Sequence, residues 1–502
     1  MNKIYTLLII LVLGCVSCGD FLEEDSQTLS YVTSVEDLDE LLVGSGYLQN
    51  ARGTYYTMSW LEVMDDDMQQ KLTGSHAALV NFVYVAPFFK WADYPWDDDY
   101  PNRIGGNKTW SRLYESIEIA NLILKEVERF SEEDDYARVK GEAYFIRAYC
   151  YFYLTNIWGH PYEASTASAK LGVPIKLTDV IEVKGFARNS VEECYQQILS
   201  DAKQAIYYLK GITPTITYRA GENAARALLA KTALYMGDWS TVVNQCDSIF
   251  NSPKGLGLID FNTTTMSVYS TASSYNALIR SNSSSEAIFS GGFCTSGVSQ
   301  ITTNLSYAAS SELLALYDER NDLRYSSGKN SYFFQYSKGY YASYRLTNAS
   351  KLPGNSLVYS EVYLNKAEAL ALLGREAEAI STLQELRSKR MSDAGTINET
   401  GEGLIKFIRD ERRRELCGAG QRWFDLRRYA VHPTYPEKTT IKHDYYEWDN
   451  GTAVLKKTYV LGEYPEDGGW LLPMPSYNKE YTLKAKKGQQ DINTKITFTF
   501  LP

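Results

Sequence analysis

The densest grouping of chemically capable side chains is Trp91-Ala92-Asp93-Tyr94-Pro95-Trp96-Asp97-Asp98-Asp99-Tyr100, followed by Asn102 and Arg103. Flat rings stack on the apolar C–H faces of sugars, and Asp, Asn and Arg pair with equatorial hydroxyls. A proline-broken loop carrying both kinds makes Tyr94, Trp96, Asp98, Asn102 and Arg103 candidate ligand contacts, with Trp96 ahead of Trp91. The competing reading makes these tryptophans plugs of a core. A second cluster, Tyr332-Phe333-Phe334-Gln335-Tyr336 with Tyr340, Tyr341 and Tyr344, alternates like a strand hairpin around Ser337-Lys338-Gly339. Half of those rings would face inward, which leaves Tyr336 and Tyr340 as the outward candidates. Trp60 with Asp65-Asp66-Asp67 forms a third, weaker candidate.

Paired carboxylates are also the equipment of a glycosidase. Adjacent aspartates in polar loops, however, are usually solvated, whereas glycosidase carboxylates come from separate strand ends in apolar surroundings. The chain has no Gly-x-Ser-x-Gly, no His-Glu-x-x-His and no phosphate loop. Its acidic runs lack the spacing and glycine of an EF-hand. His76, His160, His432 and His443 are too scattered to form a ligand set. The expectation is a binding protein with no catalytic residue, no metal and no cofactor.

The elements that must position these loops are helices. Trp110, Leu113, Tyr114, Ile117, Ala120 and Leu124 recur at helical spacing, and a second helix spans Tyr136 to Ile157, stopped by Gly159 and Pro161. Gly172-Val173-Pro174-Ile175 reads as extended. Ser190-Val191-Glu192-Glu193 is a capping box opening a helix to Leu209. Ala224 to Met236 and a partner reaching Phe250 follow across Gly237-Asp238-Trp239. Residues 252–355 are rich in Ser, Thr, Asn and Gly and read as loop and short strand, with one helix predicted at Ser311 to Arg320. Helices resume at Tyr359 to Leu373, Glu376 to Lys389 and Leu404 to Leu416. The tail from Thr434 reads as irregular, with a short strand near Trp470-Leu471-Leu472-Pro473. The stretch 359–389 fits a tetratricopeptide-like helix pair, a unit that buries its faces only by stacking on others. The fold class is therefore mostly α: a tetratricopeptide-like superhelix in one domain, with irregular insertions.

A net charge of −10 argues against nucleic acid and against an electrostatic grip on anionic lipid. Forty tyrosines against eighteen phenylalanines exceed what a helical core requires and suit a surface that stacks on sugars or docks a partner. At the N-terminus, Lys3 precedes an apolar run from Ile4 to Leu13, the length of a signal-peptide h-region rather than a membrane span. It ends in Gly14-Cys15-Val16-Ser17-Cys18 before an acidic turn. A thiol there is what bacterial lipoprotein processing diacylates, and both Cys15 and Cys18 sit in acceptable boxes. Cys150, Cys194, Cys246, Cys294 and Cys417 are widely spaced and odd in number, so neither a disulfide framework nor a zinc site is indicated.

The chain resembles the SusD/RagB family over nearly its whole length. Cys18-Gly19-Asp20-Phe21-Leu22-Glu23 is similar to the family's opening, which favours Cys18 over Cys15 as the lipidated residue. The likeness continues through Gly141 to Tyr149, Trp158-Gly159 and Gly172-Val173-Pro174, then Arg188 to Val191, Ala224 to Ala230, and Leu314 to Arg324. Its most specific piece is Ile408-Arg409-Asp410-Glu411-Arg412-Arg413-Arg414-Glu415-Leu416 with Gln421-Arg422-Trp423-Phe424-Asp425-Leu426-Arg427-Arg428. Physically this reads as Arg–carboxylate interlocks joining two helices. The chain departs from the family at Ala419, where a Glu is usual, and in its closing segment, reduced to Leu472-Pro473-Met474-Pro475.

The resemblance implies a signal peptide over residues 1–17 and a single domain over 18–502. That domain would comprise helix pairs to about 250, a loop-rich ligand-binding insertion over about 251–355, and a C-terminal part from 356. It further implies an outer-membrane lipoprotein, anchored by its lipid and exposed at the cell surface. Such a protein captures oligosaccharides for a SusC-like TonB-dependent transporter. A peptide-binding lid or an assembly subunit with little ligand affinity is the alternative, and a glycosidase the remotest reading.

Overall fold

The computed structural model describes residues 32–48, 58–70, 86–93, 95, 106–180, 186–252, 255–263, 285–290, 307–325, 333–337, 340–343, 356–449 and 452–474, with the backbone alone at 59, 106–108, 333–337, 340–343 and 448. Residues 1–17, Cys15, Cys18 and Cys294 lie outside them. After a short helix α1 (Val35–Leu41), the scaffold is built from α2 (Gly106–Glu126), α3 (Tyr136–Trp158), α4 (Val191–Tyr208), α5 (Glu222–Met236) and α6 (Trp239–Phe250). Beyond the insertion come α7 (Ser311–Leu314), α8 (Tyr359–Leu372), α9 (Glu376–Ser388), α10 (Gly401–Leu416) and α11 (Arg422–Ala430). Neighbours in sequence pack as neighbours in space from α2 through α6. Helix α8 then seats on α6, α9 and α10, so the helix pairs stack across the insertion as the repeat reading requires.

Local chemistry sets the boundaries. Ser190 accepts from the Glu193 N–H while the Glu193 carboxylate accepts from the Ser190 N–H, the capping box expected for α4. Gly237, at φ 82°, closes α5 in the left-handed region, and the Asp238 side chain then caps α6 through the Thr241 N–H. Helix α3 is buried on nearly every face from Val139 to Trp158, so it forms the hub of the core. Gly141 lets it sit there, because a Cβ at that position would lie 2.7 Å from Leu209 Cγ.

Among the described residues, four two-stranded sheets decorate the helices. β1 (Met68–Gln70) pairs with β3 (Tyr307–Ala309), and β2 (Ala287–Phe289) pairs with β6 (Leu357–Val358). β4 (Phe333–Ser337) pairs with β5 (Tyr340–Ser343), and β7 (Ile441–Asp449) with β8 (Thr452–Leu461), all antiparallel. The described part of the insertion is loop and short strand apart from α7, and β4 and β5 pair as the hairpin expected about residue 338. Three expectations need correction. The helix expected to reach Arg320 stops after Leu314, where the Asp318 carboxylate accepts the Arg320 and Asn321 N–H groups and folds the chain into a turn. The described tail is not irregular: β7 and β8 form one long hairpin, concealed in the sequence because apolar Val454, Leu455 and Val460 are exposed and no face is uniformly apolar. The segment at 470–473 is no strand. Trp470 ends a 3-10 turn, stacks on Trp423 at 4.9 Å and donates its indole N–H to the Gly462 carbonyl at 2.6 Å.

The arginine-rich motif is structural, as its composition implies. Arg412 donates to Asp425 at 2.8 Å, to the Asn365 side chain at 2.7 Å and to Glu361 at 3.0 Å, and all four residues are buried. Arg428 closes the same group by forking onto Glu368 at 2.6 and 2.8 Å and bonding Asp425. A second group gathers Arg324, Arg387 and Arg414 on Glu411, and Arg324 and Arg390 on Glu415. Fork-on-carboxylate geometry fixes both distance and angle, so these pairs lock α8, α10 and α11 in register. Cys150, Cys194, Cys246 and Cys417 are free and buried, small core residues as their spacing suggested.

Candidate functional site

Where the first aromatic cluster begins, at Trp91, four pieces of chain meet: the turn Met58–Val63, the aspartates that follow it, the helical turn 86–89, and strand β7. Asp66 receives a two-pronged grip from Arg422 at 2.7 and 2.8 Å, and Asp67 accepts from Arg413 at 2.7 Å. Burial alone would raise Asp66, but Arg422 and Arg413 outweigh it and hold the carboxyl at about 2. Asp65 is the reverse case. Burial, then the charges of Asp67 and Glu62, push it well above the usual carboxylate range, and its Oδ1 accepts the Asp67 N–H at 2.9 Å. The three carboxylates lie close enough to hold a cation, yet Arg413 and Arg422 already neutralise the ionised ones.

The third candidate cluster is therefore corrected. Trp60 is fully buried and stacks on Phe88 at 4.7 Å, so it is core, and the aspartates tether this junction to the arginine motif. Because folding raises Asp65 above its ordinary value of 3.8, the unfolded chain gives up this proton more readily than the folded one, and stability is lost as pH rises above that value. Asp65→Asn is accordingly expected to match or exceed wild type in melting temperature at pH 7, with the advantage vanishing below about pH 4. Thermal melts across pH check this, and a destabilised variant at pH 7 would contradict it.

Trp91 has a φ of 48°, unusual for a side chain of that bulk. Its indole N–H donates to the Met64 carbonyl at 3.0 Å, and its ring lies on His443 at 4.3 Å. The other face of His443 rests on Phe89 at 4.1 Å, while its ring nitrogens sit 2.7 Å from the Phe89 carbonyl and 2.9 Å from that of Asp65. Burial pushes His443 down and those two acceptors pull it back up. Trp91 is thus half plug, as the competing reading of these tryptophans has it. Tyr94, Trp96, Asp98, Asn102 and Arg103 lie outside the described residues.

The described strands of the second aromatic cluster connect to β7. Strand β5 lies beside β3, β3 pairs with β1, and β1 lies beside β7, whose His443 rests on Trp91. Tyr340 opposes Ser337, and Tyr336 falls at the register shift between Gln335 and Ser337. A bulge re-aims a side chain, though the side chains of Tyr336 and Tyr340 are outside the description. Sequence reasoning passed over Lys90, His443, Tyr445 and Tyr459. The alternation Ile441-His443-Tyr445 was the available signal.

Comparison with known proteins decides the lineage. Residues 20–234 match the family model described as starch-binding associating with outer membrane, and residues 303–489 match the one described as SusD family. The chain belongs to the SusD/RagB family. SusD-like protein P25 of Formosa agariphila is 26% identical over 258 residues, which is 49% of this chain and 46% of that protein. The match thus spans about half of that relative's length. SusD-like protein P2 of the same organism is 23% identical over 375 residues, covering 64% of this chain and 71% of P2. A SusD superfamily protein of Bacteroides thetaiotaomicron superposes with a TM-score of 0.66 at 20% identity, over 90% of this chain and 98% of the other. A SusD-like carbohydrate binding protein of Bacteroides vulgatus gives 0.62 at 17% identity, over 90% and 97%. At such identities the structures establish a shared SusD fold and nothing finer.

Proposed function

We propose that this SusD-family chain is a cell-surface glycan-binding lipoprotein. It captures oligosaccharides at the outer membrane and passes them to a SusC-like TonB-dependent transporter, without catalysis. The family match carries the reading, since one matched model is described by starch binding and outer-membrane association. The Asp65-Asp66-Asp67 group supports it, because Asp66 and Asp67 are held in ion pairs with Arg413 and Arg422 rather than opposed across a cleft. Among the described residues no helix is long and apolar enough to cross a membrane, consistent with attachment through a lipid on Cys18. The ligand contacts proposed are Trp96, Asp98, Tyr94, Asn102 and Arg103, with Tyr336 and Tyr340 from the neighbouring hairpin.

A glycan-array and calorimetric screen of the protein from Gly19 onward tests this. Saturable binding of a polysaccharide that is recovered at its original length is the expected result. Silence across plant, host and microbial glycans, or release of shorter products, would overturn it.

A further inference from the structure

The inner face of the β7–β8 hairpin grades from core to solvent. Ile441 opposes Leu461, both buried; His443 opposes Tyr459; Tyr445 opposes Lys457. The rings of Tyr445 and Tyr459, half-buried, meet edge to face with centroids 6.2 Å apart at 74°. Lys90, the residue before Trp91, places its Nζ 3.6 Å from the Tyr445 centroid and 5.7 Å from that of Tyr459. Lys457 Nζ lies 4.7 Å from the Tyr459 centroid.

Two ammonium groups thus converge on one aromatic pair. Each gains about 0.5–1 kcal/mol from a ring at such exposure, yet they oppose each other. Burial pushes Lys90 down and Lys457 pushes it the same way, with Glu447 acting against both. Among the described residues neither lysine has a carboxylate within ion-pair distance, and Glu447 is shared with the Tyr445 hydroxyl at 3.3 Å and Lys456 at 4.0 Å. The platform is held in place. The Gln70 amide brackets Tyr446, accepting its N–H at 2.8 Å and donating to its carbonyl at 3.0 Å at the bulge, and His443 is clamped between Phe89 and Trp91. Cations set on flat rings, pre-positioned and lacking a counter-ion among the described residues, are suited to a sugar that carries negative charge.

We infer that Lys90, Tyr445, Tyr459 and Lys457 form a subsite for an acidic sugar, with the lysines taking its carboxylate or sulfate and the tyrosines its ring. The inference rests on the glycan-binding reading and narrows it to anionic polysaccharides. Titration of wild type, Lys90→Gln/Lys457→Gln and Lys442→Gln with polygalacturonate, carrageenan and starch tests it. Lys442 lies on the hairpin's opposite face and controls for diffuse charge. The expected result is binding of polygalacturonate or carrageenan, weakened by salt, unchanged in Lys442→Gln and reduced about tenfold per lysine in the double variant. Whichever polymer binds distinguishes carboxylate from sulfate. Binding of starch alone, or of an acidic polymer equally by the double variant, overturns the subsite and leaves glycan capture standing. Absence of binding to any glycan overturns both.

Discussion

Replacing Arg412 with alanine is expected to destabilise the protein by about 3–5 kcal/mol, read as a lower denaturation midpoint in urea. The side chain is fully buried and satisfies Asp425, Glu361 and Asn365 together. Truncation leaves two carboxylates inside the core with their cation gone, and the loss of that compensation costs more than the pair itself contributes. Asp425 retains Arg428, and Glu361 retains Lys231 at 3.0 Å, which keeps the cost within that range rather than beyond it. Lysine at 412 preserves charge but not the fork, so Arg412→Lys should recover only part of the loss. A shift below about 1 kcal/mol in Arg412→Ala would show that the motif is not what holds α8, α10 and α11 together.

Arg390→Ala is expected to cost a similar amount, about 3–5 kcal/mol, with a different consequence. Arg390 reaches Glu286 at 2.7 Å, Glu415 at 3.1 Å and the Ile259 carbonyl at 2.7 Å, so it ties the described ends of the insertion to α10. Glu286 in turn accepts the Ile259 N–H at 2.7 Å. Without the guanidinium, protease cleavage should move into residues 252–355 and precede unfolding of the helices. Limited proteolysis with mass spectrometry reads this directly, and cleavage confined to other segments would contradict it.

Helices were legible in the sequence because their periodicity and caps are local. The capping box at Ser190 and the Gly237-Asp238 junction each act within four residues, and both appear where expected. The Arg–carboxylate motif was legible by a different route, since so many charges on apolar-patterned helices have no stable place except on each other. The β7–β8 hairpin was not legible. Strand β7 carries Lys442, His443, Asp444 and the adjacent Tyr445 and Tyr446, and β8 exposes Val454, Leu455 and Val460, so neither shows a clean apolar alternation; its inner face acquires meaning only from Phe89, Lys90 and Trp91, more than 350 positions earlier. Trp60 was misassigned for a related reason. A tryptophan beside three aspartates suits a sugar site in sequence, whereas Arg413 and Arg422 arrive from a distant helix pair to claim those carboxylates. The loop from Tyr94 to Arg103 was read from composition, and its roles remain the proposal stated above.

Titration of Trp96→Ala beside wild type, with the polysaccharide found by array, tests glycan capture by that loop most directly. A central aromatic contact is worth about 2 kcal/mol or more, so affinity should fall by roughly thirtyfold or more while the melting temperature stays unchanged. Equal affinity in the two proteins, with the fold intact, would contradict the assignment of the loop as the place where the glycan is held.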